Sequence, residues 1–104
     1  MASTLEQLFQ IYDRQIKNLD ESDDFDEFVQ DVLLVLSTRN VFETHNLTPE
    51  AQRRLDLLDD KLVNHWEKLG EVLPLPSPSD RRRWWWFLHE GPQVREQARA
   101  LAAD

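Results

Sequence analysis

Between Asp80 and Leu88 the chain reads Asp-Arg-Arg-Arg-Trp-Trp-Trp-Phe-Leu, so three guanidinium groups run straight into four consecutive aromatic rings. On a helix turning about 100° per residue, Trp84, Phe87 and Leu88 share one face, Trp85 and His89 a second, and Trp86 points toward a third. No single packed face takes them all. Either the segment is enclosed on nearly all sides by its own domain, or part of its aromatic surface is offered to a partner. Three of the four tryptophans lie here, so the choice governs both the core and the function.

The rest of the chain reads as helix. Ser3-Thr4-Leu5-Glu6 fits a capping box, and Leu5, Leu8, Phe9, Tyr12, Ile16 and Leu19 follow at helical spacing. A second helix starts from Phe25, with Ser22, Asp23 or Asp24 as its cap. It includes Asp31-Val32-Leu33-Leu34-Val35-Leu36, the most apolar run in the chain, which marks it as the central core element. It is expected to fade near Asn40, a residue able to take a left-handed cap, with a connector tucking Phe42 inward. In Leu47-Thr48-Pro49-Glu50, Thr48 caps and Pro49 takes the first helical position, where its missing amide costs nothing. The third helix carries Ala51, Leu55, Leu58, Leu62, Trp66 and Leu69 on one face and stops at Gly70, about 20 residues in all.

Proline at every second position of Pro74-Leu75-Pro76-Ser77-Pro78 forbids helix and central strand, so an extended connector is expected at about 71–79. Leu73 and Leu75 pin it to the helices. Ser79 or Asp80 caps the aromatic helix, Gly91-Pro92 ends it, and Val94, Ala98 and Leu101 line a last helix. The expected fold is all-α: a single domain over residues 1–104, built as a compact four-helix to five-helix bundle.

Several functions are excluded or disfavoured. With no cysteine among 104 residues, thiolate nucleophiles, disulfides and Cys-ligated zinc or iron–sulfur sites are ruled out. Two glycines cannot build a phosphate loop, and Ser3, Ser22, Ser37, Ser77 and Ser79 sit in caps or turns. His45, His65 and His89 are scattered. Asp20, Ser22, Asp24 and Asp31 fall at calcium-loop spacing, but Phe25 stands where the loop needs glycine and Asp31 where it needs a bidentate glutamate. The expectation is therefore a non-enzyme without cofactor or metal. The amino terminus has no basic-then-apolar leader and no run approaches about 18 apolar residues, so a cytoplasmic protein off the membrane is expected.

What remains is recognition. The net charge of −8 resides wholly in residues 1–50, which hold eleven acids against three bases. Six acids occupy the eight residues from Asp20 to Glu27. Such a surface repels nucleic acid and attracts a basic protein, or the chain's own Arg81, Arg82 and Arg83. The residues expected to bind a partner are these three arginines with Trp85 and Trp86 as anchors, and Asp23, Asp24, Asp26 and Glu27 as electrostatic guide. The leading expectation is an adaptor or regulatory subunit that binds another protein, with homodimerisation through the aromatic helix as a compatible arrangement. The alternative is an acidic mimic of nucleic acid that inhibits a DNA- or RNA-binding protein.

Overall fold

The computed structural model describes residues 4–73 and 81–103, which are helical with no strand among them. The helices are α1 (Thr4–Asn18), α2 (Phe25–Phe42), α3 (Pro49–Val63), α4 (Trp66–Leu69) and α5 (Val94–Ala103), with two 3-10 turns, Trp84–Trp86 and Leu88–Glu90, between the last two. Internal contacts group into two compact units, residues 1–62 and 63–104.

In the first unit the caps follow local chemistry. Asp24, in extended backbone, accepts from the Glu27 amide at 2.7 Å and starts α2. Thr48 Oγ1 accepts from the Ala51 amide at 3.2 Å and starts α3, with Pro49 in its first turn. The Ser3 half of the expected capping box lies outside the described residues, and Glu6 instead accepts from Arg54 of α3 (3.1 Å to Oε1). Asn40 does not cap α2. The helix runs on to Phe42, and the Thr44 hydroxyl donates to the Val41 carbonyl at 2.7 Å, so a left-handed residue is not needed there.

Phe9, Tyr12, Ile16 and Leu19 of α1, Phe28, Val32, Val35, Leu36 and Phe42 of α2, and Leu55, Leu58 and Leu62 of α3 are buried. Phe9 and Tyr12 both pack tilted against Phe42, at 5.0 and 5.5 Å between ring centres, which fits α1 and α2 running antiparallel. Glu6 meets Arg54, Tyr12 meets Asp59, and Asp13 lies 3.7 Å from Lys61, so α1 and α3 run parallel.

At the centre lies a buried polar cluster that periodicity does not reveal. Asp59, 2% exposed, receives the Tyr12 hydroxyl at 2.7 Å and the Arg39 guanidinium through two bonds, Nε at 2.9 Å and Nη2 at 3.1 Å. Arg39 is itself buried at 8% exposure. The two-bond fork is the geometry that best offsets the desolvation of both charges. One carboxylate thus joins all three helices of the unit.

In the second unit α4 packs against the second 3-10 turn and α5 against the first. The expected third helix through Leu69 is in fact broken: Asn64 and His65 form a turn before α4 resumes for one turn. Val63, Asn64 and His65 are all weak helix formers, which makes the break inexpensive. Gly70 keeps right-handed backbone, so it is not a left-handed cap; a Cβ there would make ordinary contact with the His89 Cα at 3.7 Å. Gly91, at φ 120° and ψ 170°, does occupy backbone open only to glycine, and it ends the aromatic segment as expected. Glu71 and Val72 are not extended as expected but continue in a turn, their amides donating to the Lys68 and Leu69 carbonyls, and Leu73 is buried; residues 74–80, with the Ser79 or Asp80 cap, lie outside the described residues.

The central cluster generates a double-mutant test. Asp59→Ala, which strands a buried guanidinium, is expected to cost about 3–5 kcal/mol in urea unfolding. Asp59→Leu with Arg39→Met is expected to recover most of that loss yet broaden the amide resonances of α2, because the ion pair sets the helix's rotation. Sharp spectra from a stable double variant would show that packing alone orients α2.

Candidate interaction surface

The aromatic segment is not the straight α-helix expected from the sequence. Trp84–Trp86 and Leu88–Glu90 form two 3-10 turns that meet at Phe87, whose φ of −117° bends the chain between them. The bend resolves the difficulty posed by successive tryptophans, which a straight helix would point in three directions. Trp84, Trp85 and Trp86 are all buried, at 5%, 2% and 8% exposure, as is Leu88. Trp84 meets Trp85 edge-on at 5.5 Å, and the Arg95 guanidinium of α5 lies 5.5 Å from the centre of the Trp84 ring.

Trp85 and Trp86 are therefore not surface anchors: the chain fills that role from its own residues. Arg81 is exposed and donates to Glu90 while lying 4.5 Å over the Phe87 ring, so its partner is nine residues away and not in the acidic segment. Arg82 is exposed and Arg83 half-buried. The hydrogen bond from Arg81 holds the Glu90 carboxyl below the usual range. Likewise the Arg54 hydrogen bond lowers Glu6.

The acidic residues do lie at the surface. Asp23, Asp24, Asp26 and Glu27 are exposed, and Asp24 is committed as the cap of α2. Ser22 is committed too, donating to Asp31 and to the Asn18 carbonyl at 3.1 Å, so two of the residues at calcium-loop spacing hold the α1–α2 turn together. Among the described residues no three His, Asp or Glu side chains converge to hold a metal ion.

Beside these acids is a feature that the sequence placed inside the core. Phe25, Leu33, Leu34 and Val41 of α2 are 53%, 40%, 54% and 44% exposed, and Val29 is half-buried. The apolar run from Val32 to Leu36 is split by the helix: Val32, Val35 and Leu36 are fully buried while Leu33 and Leu34 face solvent. A shallow groove of about 560 Å³ runs along this outer face, lined by Asp26, Val29, Gln30, Leu33 and Leu34. A second groove of about 300 Å³ is lined by Leu5, Phe9 and Thr48 together with the Glu6–Arg54 pair, whose guanidinium lies 4.4 Å over the Phe9 ring. Sequence reasoning missed the outer face because apolar residues surround α2, and the pattern alone does not say which side turns inward.

No helix among the described residues is long and apolar enough to cross a membrane. No family model matches the chain, and no curated protein or solved structure matches it.

Two outcomes follow for the aromatic unit. Trp85→Ala is expected to destabilise the protein by about 3–5 kcal/mol, and acrylamide should quench wild-type emission weakly, mainly through half-buried Trp66. Strong quenching with an unchanged melting temperature for the variant would place the indoles outside the core. For the exposed pair, a carboxyl NMR titration should find Glu90 titrating below its ordinary range and returning toward it in Arg81→Ala. Because the folded value is the depressed one, the pair's small contribution is present at neutral pH and is lost as pH falls through the carboxylate range.

Proposed function

We propose that the protein is a non-catalytic interaction module that binds another protein through the outward face of α2. The single observation that carries this reading is the exposure of Leu33, Leu34 and Val41 on the outer side of α2. Apolar residues gathered on one exposed helix face mark partner sites, whereas single scattered ones do not. The acidic residues Asp23, Asp26 and Glu27 stand at one end of the face and supply the polar rim that such interfaces need.

This keeps the role of adaptor or regulatory subunit and moves its apolar anchor from the aromatic segment to α2. A mimic of nucleic acid would present carboxylates in a continuous row; here the acids give way to Val29, Leu33 and Leu34 along the helix, which favours apolar docking. A cytosolic setting belongs to the same reading.

A photo-crosslinking residue placed at position 34, and as control at exposed Gln52 of α3, tests the proposal in the cells that make the protein. Adducts with another protein are expected at 34 and not at 52, and Leu33→Ser should abolish them without altering the melting temperature. Equal adducts at both positions, or none at 34, would overturn it.

A further inference from the structure

The outer face of α2 is acidic at its start and apolar along its middle, and this polarity specifies what fits it. From Asn18 to Thr38 the chain holds seven carboxylates and no base. Asp20, Glu21, Asp23, Asp24, Asp26 and Glu27 are all exposed. The first base beyond them, Arg39, is buried against Asp59. A surface of this kind draws in a cation and sets a price on a second copy of itself, since the facing copy has only carboxylates to offer.

The backbone of the occupant is constrained as well. A peptide that binds by β-addition needs a sheet edge, and the described residues contain no strand. The main chain of α2 is already hydrogen-bonded within the helix, so a partner laid against it must satisfy its own amides and carbonyls. A helix does so and seats its side chains in the grooves between helical ridges. Gln30, Leu34 and Val41 fall along one line of the face and Asp26 and Leu33 beside it.

Resting on the docking reading above, we infer that the occupant is a basic amphipathic helix. Its lysines or arginines lie over Asp23, Asp26 and Glu27, and its apolar stripe lies over Val29, Leu33 and Leu34. Asp26 to Val41 spans about 22 Å, room for a partner of roughly four turns.

The test titrates the full chain into three labelled synthetic peptides, followed by fluorescence anisotropy. One is a Lys/Leu amphipathic helix, the second has Glu for every Lys, and the third is the first with its leucines scrambled off a single face. The first is expected to bind at least tenfold more tightly than the other two. Leu33→Ser with Leu34→Ser should weaken it at least tenfold; Asp23→Asn with Asp26→Asn should weaken it severalfold and flatten its salt dependence. These exposed positions leave the circular dichroism unchanged. If the acidic peptide binds equally well and still depends on Leu33 and Leu34, the docking face stands and the charge class is overturned. If the scrambled basic peptide binds equally well and ignores the leucine changes, carboxylates alone recognise it and the inference fails. If no peptide binds and the crosslinker at position 34 captures only copies of this chain, the occupant is a second copy; if it captures nothing, the docking reading itself is lost.

Discussion

The bond set at Asp59 ties together the three helices of the first unit. α2 carries apolar residues on more than one side, so burial by itself fixes its rotation less tightly than in a helix with one apolar stripe. A buried guanidinium removes that freedom. Arg39 must reach a carboxylate, the carboxylate is on α3, and the Tyr12 hydroxyl of α1 donates to the same oxygen that Arg39 Nε uses. With Arg39 turned inward, Phe28, Val32, Val35 and Leu36 go with it, and Leu33, Leu34 and Val41 are left outside. Ion pairs of this kind contribute little net stability compared with a hydrophobic replacement, and their strongest effect is on register. Here the register is what creates the exposed face.

The two units deal with excess apolar surface in opposite ways. In the second, the bend at Phe87 and the left-side backbone of Gly91 fold the aromatic segment into short turns, so three adjacent indoles are buried. Each buries enough apolar area to contribute a few kcal/mol as an upper bound. A 3-10 turn has poorer hydrogen-bond geometry than an α-helix, and the burial of Trp84, Trp85 and Trp86 offsets that cost. In the first unit, α2 is one continuous α-helix of 18 residues. Its outer leucines therefore remain available beside the carboxylates of its first turn.

Much of the helical plan could be read from local chemistry. Asp24 and Thr48 cap the helices as their spacing indicates, Pro49 opens α3, Gly91 closes the aromatic segment, and the stripe Phe9, Tyr12, Ile16 and Leu19 is buried. These features depend on neighbours within one turn. The break at Asn64 and His65, the continuation of α2 past Asn40 and the 3-10 character of Trp84–Glu90 were not legible, because each depends on what packs against the segment.

The candidate surface divides along the same line. Exposure of Asp23, Asp24, Asp26 and Glu27 follows from composition alone, since so many like charges cannot be desolvated together. The place of the tryptophans and of Leu33 and Leu34 does not follow from it: both are large apolar groups in apolar runs, and one set is buried while the other is exposed. The sequence by itself determined an all-helical chain with its negative charge concentrated in the first half. Tertiary structure decided which apolar residues meet solvent, because that depends on a hydrogen-bonded contact between Arg39 and Asp59, twenty residues apart, and on the bend that brings adjacent indoles into one core.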